Sequence, residues 1–184
     1  MLGLIVIIIV AVILIYFISV SNKFKRSYIK VQEAQADIEV ALIKRYDVLT
    51  QSLDVVKGYT EHEKNLMIQL IQARNGMSLA ETQQVLDNQA DALHRINAVA
   101  EAYPQLYSSE LYKNLQYQIV ETNEHLSASK RLYHANVSLY NQEIAVFPAS
   151  VVAALTGRRP AEYLRDENLA AKREVNLSFQ NGQI

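Results

Sequence analysis

The chain has 184 residues, half of them apolar, with five Gly, three Pro and no Cys. That composition suits long uninterrupted helices and excludes disulfides, thiolate nucleophiles and Cys-ligated metal sites. The net charge of −1 hides an asymmetry: residues 1–30 carry Lys23, Lys25, Arg26 and Lys30 with no acid, leaving 14 bases against 19 acids in the rest. One short basic cluster is not the broad basic face that a phosphate backbone requires, so nucleic acid is excluded as a partner.

Residues 1–20 are polar only at Ser19 and are rich in Ile and Val. As a helix they reach about 30 Å, the thickness of a bilayer's hydrocarbon core. Lipid favours such a segment because its backbone bonds are all internal, whereas water penalises every apolar face. Tyr16 and Phe17 stand near one end, where interfacial aromatics are common. A cleaved signal peptide wants positive charge before the apolar stretch and a small-x-small site after it, and neither is present. The bases follow the span instead, so the positive-inside tendency predicts an external amino terminus and a cytoplasmic body.

No Gly or Pro occurs between Leu4 and Lys57, so the span is predicted to continue into the first soluble helix. Val31, Ala34, Ile38, Leu42, Tyr46, Leu49, Leu53 and Val56 form one stripe at helical spacing, and Gly58 is expected to end it. Thr60 and Glu63 have the form of a capping box opening a second helix over 61–75, with Leu66, Leu70 and Ala73 on one side and a stop at Asn75-Gly76. Ser78 with Glu81 repeats the cap. Beyond it Leu79, Leu86, Leu93 and Ala100 fall seven apart, with Ala90, Ile96 and Tyr103 between them, a coiled-coil-like spacing that Pro104 closes.

The longest pattern is Leu111, Leu115, Ile119, Thr122, Leu126, Ser129, Tyr133, Val137, Tyr140, Ile144 and Phe147, a predicted helix over 109–147. Thr122 and Ser129 on this stripe are read as bonding to backbone carbonyls one turn back. A short apolar helix over 151–155 and a turn over 156–160 follow. The fold class expected is all-α: a single amino-terminal transmembrane helix continuing into an antiparallel bundle of three to four long amphipathic helices. The domains are a span (1–20), a basic juxtamembrane segment (21–30), the bundle (31–164) and a polar tail (165–184). In the tail Val175, Leu177 and Phe179 alternate as in a strand that forms on assembly with another copy.

Several short groups of residues, in their order and spacing, carry a resemblance. They are Lys44-Arg45-Tyr46-Asp47, Val56-Lys57-Gly58-Tyr59 with His62-Glu63, Ala73-Arg74, and Glu101-Ala102-Tyr103-Pro104. Leu115-Gln116, Glu121-Thr122-Asn123-Glu124, Tyr140-Asn141 and Phe147-Pro148 extend it. Over almost its whole length the chain resembles the bacterial LemA family. The resemblance implies an amino-terminal membrane helix with a short external end and a helical cytoplasmic body, which places the chain in the bacterial plasma (inner) membrane as a single-pass protein. It implies no reaction. Where the family often has Ala-Arg and Tyr-Asn on the last long helix, this chain has Ser129-Lys130 and Tyr133-His134.

Chemistry-bearing groups are sparse. His62-Glu63 begins the zinc-protease pattern, but Leu66 stands where the second His belongs, so a helix-start role is expected. None of His62, His94, His125 or His134 has a Glu three residues before it, which argues against a carboxylate-bridged di-metal bundle. Glu121, Glu124 and His125 are the densest polar group and are read as a solvated helix face. Arg45, Arg74 and Arg131 suit structural carboxylate pairs between arms as well as an anionic ligand, and the eleven tyrosines suit core or interface packing. No catalytic, cofactor-binding or metal residue is assigned, and no enzyme is expected. The expected role is a membrane-anchored structural or scaffolding protein that self-associates through its bundle. The alternative is a signalling or regulatory adaptor docking another membrane or envelope protein. The expected partners are the lipid bilayer, further copies of the chain and such a membrane or envelope protein.

Overall fold

The computed structural model describes residues 2–59 and 69–165, and among these all regular structure is helical. Helix α1 (Leu2–Tyr59) has 58 residues and is about 87 Å long at 1.5 Å per residue. It runs without a break from the apolar segment to the far end of the bundle, as the absence of Gly and Pro predicts. Gly58 does not end it: the residue is itself helical and takes no left-handed φ, so the helix reaches Tyr59. Helices α2 (Leu79–Ala102), α3 (Pro104–Ser108), α4 (Glu110–Ala145) and α5 (Ala149–Leu155) complete the described chain. Pro104, expected only to stop α2, also opens α3 at a position where its missing N–H has no intrahelical partner to lose.

Helices α1 and α4 lie antiparallel. The Ser27 hydroxyl donates to Glu143 at 2.6 Å, Asn136 Nδ2 to the Lys30 carbonyl at 3.4 Å, and Lys44 Nζ to Glu121 at 3.0 Å, so sequence rises on one helix as it falls on the other. Between them Val31, Ala34, Ile38 and Leu42 meet Leu126, Tyr133, Val137 and Tyr140 in one apolar cluster. A second cluster at the other end gathers Leu49, Leu53, Val56, Ile96, Leu106 and Tyr112. The α1 stripe is therefore the core face, with Tyr46 half-buried at its edge. The α4 stripe holds from Leu115 to Ile144 but fails at both ends. Leu111 is 59% exposed and Phe147 78%, while Tyr112, one residue on, takes the core position. One residue is 100° of helix, and near the ends of α4 the neighbouring elements decide which side is covered. Thr122 does bond back to the Ile119 carbonyl at 3.0 Å, as read from the sequence.

The link between α1 and α2 departs from the expected second helix. The Thr60–Glu63 cap and the first part of the 61–75 helix lie outside the described residues, but residues 69–75 are not helical. Instead the Asn88 side chain holds them, its Oδ1 accepting from Ile71 N–H at 2.7 Å and its Nδ2 donating to the Gln69 carbonyl at 2.9 Å. Further along, Glu39 accepts from Gly76 N–H at 2.7 Å and Met77 N–H at 3.1 Å, while Gln35 Nε2 donates to the Met77 carbonyl at 2.8 Å. Gly76, at φ +76°, makes the turn that aims both amides at one carboxylate. The chain has thus returned from Tyr59 to the level of Glu39, about 30 Å down α1. As a result α2 starts beside the middle of α1 and runs parallel to it, with Gln89 Nε2 donating to the Leu42 carbonyl at 3.0 Å. Helix α4 is antiparallel to both, the Asn97 side chain of α2 accepting from Tyr112 at 3.1 Å and Gln116 at 3.0 Å.

The Ser78 capping box is formed as predicted. Ser78 Oγ accepts from Glu81 N–H at 3.2 Å, and Ser78 N–H donates to the Glu81 carboxylate at 2.8 Å. The Ser78 backbone N–H first, then its hydroxyl and the Arg74 guanidinium, hold the Glu81 carboxyl down from an ordinary 4.5 to about 2. Ser78→Ala is expected to lower unfolding free energy by about 1 kcal/mol in urea denaturation. Because the folded pKa lies below the unfolded one, Glu81 contributes stability above about pH 4.5 that is lost as pH falls towards 2. Thermal melts through that window should fall less steeply for Glu81→Gln than for the natural chain, and equal slopes would refute this source of acid sensitivity.

Candidate membrane anchor and interaction surfaces

The first part of α1 is apolar on every side and packed against none of the described residues: from Leu2 to Tyr16 each residue is exposed. It is long and apolar enough to cross a membrane. The first α1 residues that the bundle partly covers are Phe17 and Val20, followed by the buried Phe24. The basic residues come next, with Lys25, Arg26 and Lys30 exposed and Lys23 paired to Glu143 at 3.3 Å.

Beside this end, residues 156–165 double back along α4. Asn141 fixes them with a paired contact, donating to the Ala161 carbonyl at 2.9 Å and accepting from Ala161 N–H at 2.8 Å. Tyr133 donates to the Glu162 carbonyl at 2.8 Å, and the Tyr28 and Tyr140 rings meet at 5.4 Å. A cleft of about 520 Å³ runs between this segment and α1, with Tyr28, Gln35, Tyr140 and Arg158 on its walls. Burial pushes the Tyr133 and Tyr140 hydroxyls above the usual phenol range, with Arg158 partly opposing this at Tyr140. Both therefore stay neutral hydrogen-bonding groups. At the far end a cleft of about 470 Å³ lies between Tyr107, Tyr117 and Val120, floored by the Tyr112–Asn97–Gln116 network.

Among the described residues the polar candidates stand apart from one another. Glu121, Glu124 and His125 are exposed, and Glu121 is tied to Lys44 across the α1–α4 seam. His94 is exposed, and the His134 ring lies tilted to Tyr133 and edge-on to Tyr163, with ring centres 5.9 and 5.7 Å away. Among the described residues no three His, Asp or Glu side chains gather where a metal ion can be held. His62-Glu63 lies outside the described residues. Arg74 pairs with Glu81, Arg45 is buried in the bundle, and Arg131 is exposed.

The surface with most to offer a partner is the outer face of α4. Ala128, Leu132, Ala135, Leu139 and Gln142 follow one another at alternating steps of four and three, and all are exposed. Leu132 is 49% and Leu139 46% exposed. This is a heptad seam with no partner within the described residues, set on the side of α4 opposite its core stripe. Its spacing is visible in the sequence, but the core stripe on the same helix is the longer and more apolar pattern. Glu39, Asn88 and Asn141, which hold the two non-helical segments, carry no periodic signal and were not legible.

The LemA family model matches residues 34–179. Magnetosome protein MamQ 2 and Magnetosome protein MamQ 1 of Paramagnetospirillum magneticum are each 35% identical over 77 residues, which is 42% of this chain and 28% of theirs. The match thus spans little more than a quarter of those relatives. Protein LemA of Metamycoplasma hominis is 27% identical over 145 residues, 75% of this chain and 66% of that one. With most of its length matched, and with the helical body already described, the chain belongs to the LemA family.

Proposed function

We propose that this protein is a single-pass anchor and scaffold of the bacterial plasma membrane, with its amino terminus outside and its bundle in the cytoplasm, which self-associates side by side through the outer face of α4. The observation that carries the self-association is the exposed heptad seam from Ala128 to Gln142. The apolar start of α1 supports the anchor, and the bases after it support the orientation. Copies held by parallel spans share one membrane normal, so the same seam on two copies can meet in register about a two-fold axis. A role of this kind is architectural and calls for no reacting group. Native mass measurement of the full chain in several detergents tests it: dimers or larger assemblies are expected, and a strict monomer in every detergent sinks the scaffold reading.

One observation favours the adaptor reading as a second possibility: α1 is continuous through residues 18–30, so a rotation or tilt of the span is passed to the bundle as a rigid motion. Inserting two glycines there should uncouple the parts, read as a loss of the distance correlation between spin labels on span and bundle. An unchanged correlation would count against a rigid relay.

A further inference from the structure

We propose that the Val146–Phe147 turn and helix α5 form a second membrane contact, seated in the headgroup and upper acyl region of the bilayer that α1 crosses. The proposal rests on the reading of α1 as a membrane span. Its argument is one of depth. The apolar run of α1 extends to Val20, so a hydrocarbon core of roughly 20 residues' length includes Phe17 and brings Val20 to its edge. Yet these two residues pack on the bundle, against the cluster that contains Phe24, Ile144, Val152 and Ala153. Glu143 contacts both Ser27 and Lys23, so the next turn of α4 comes level with α1 residues 20–23, and the chain enters α5 from there. Whatever packs at the depth of Phe17 shares its surroundings.

The outward side of this tip is apolar. Val146, Phe147, Val151 and Leu155 are all more than half exposed, a concentration of large side chains that water does not favour at the end of a rod. Lys25 and Arg26, exposed on α1 at about the level of Glu143, and exposed Arg159 just after α5 supply positive charge near it, while Lys23 is paired to Glu143; residues 144–161 contain no acid. An apolar tip with bases near it matches an anionic lipid surface, with the side chains below the headgroups and the cations among them. Two contacts, a span and a wedge beside it, fix the height and tilt of the bundle where one span leaves both free.

The chain contains no Trp, so a single introduced indole reports on one place. Full-length Phe147→Trp, Val151→Trp, Leu111→Trp and Ile9→Trp are reconstituted into phosphatidylcholine–phosphatidylglycerol vesicles carrying lipids spin-labelled near the headgroup or deep in the acyl chain. Phe147→Trp and Val151→Trp should be quenched by the shallow label at least about twofold more than Leu111→Trp at the far end, with Ile9→Trp quenched best by the deep label. If Ile9→Trp is quenched while both tip variants behave like Leu111→Trp, the wedge is overturned and the anchor stands. A blue-shifted but unquenched tip would mean that a second copy covers it, which also overturns the wedge. If Ile9→Trp is unquenched, the anchor fails and the wedge with it.

Discussion

Glu39→Ala is expected to lower the unfolding free energy by roughly 2–4 kcal/mol, because it removes the acceptor for two backbone amides at once. Glu39 is 4% exposed on the face of α1 turned towards α2, and its two oxygens divide the work, Oε2 taking Gly76 N–H and Oε1 Met77 N–H. The Met77 amide is buried, so it finds no water in place of the lost carboxylate. Glu39→Gln keeps one carbonyl oxygen and should lose about half as much. Urea denaturation followed by circular dichroism measures both. A Glu39→Ala chain as stable as the natural one would show that the return segment is held by its other contacts, Gln35 and Asn88.

The second large effect expected is on assembly. Replacing Leu132 and Leu139 together by Glu should convert assemblies to monomers while leaving helix content unchanged and the unfolding free energy of the monomer within about 1 kcal/mol, since both side chains face outward. Each Leu taken from a buried seam forfeits about 1.5–3 kcal/mol, and the opposed carboxylates of a two-fold contact add repulsion. The pair together therefore weakens association by at least about a hundredfold. Counting copies by photobleaching in native membranes or native nanodiscs reads the change. If the double variant assembles as the natural chain does, copies meet through some face other than α4's outer seam. The absence of Cys adds a direct check, because Leu139→Cys introduces the single thiol that a symmetric contact brings against its own copy.

Both predictions concern residues whose roles the sequence treats unequally. Local periodicity alone was enough to read the apolar start of α1, its unbroken passage into the bundle, the stripes from Val31 to Val56 and from Leu115 to Ile144, and the Ser78–Glu81 cap. These features depend on neighbours three, four or seven residues away, and helix geometry brings such neighbours together whatever the rest of the chain does. The outer seam on α4 belongs to the same class, since its spacing is written in Ala128 to Gln142, although only the fold tells it from a core face.

Tertiary structure alone decided the direction of α2, which follows from how far the chain returns after Tyr59. That return is fixed by Glu39, Gln35 and Asn88, side chains 17 to 42 residues from the backbone groups they hold. No local pattern reports a partner so distant. The same holds at the two ends of α4, where Leu111 and Phe147 continue a stripe that their surroundings do not cover, and where Tyr112 is buried in their stead. A helix carries its periodicity to its last turn, but burial there depends on which other elements reach that far, and that is a property of the assembled fold.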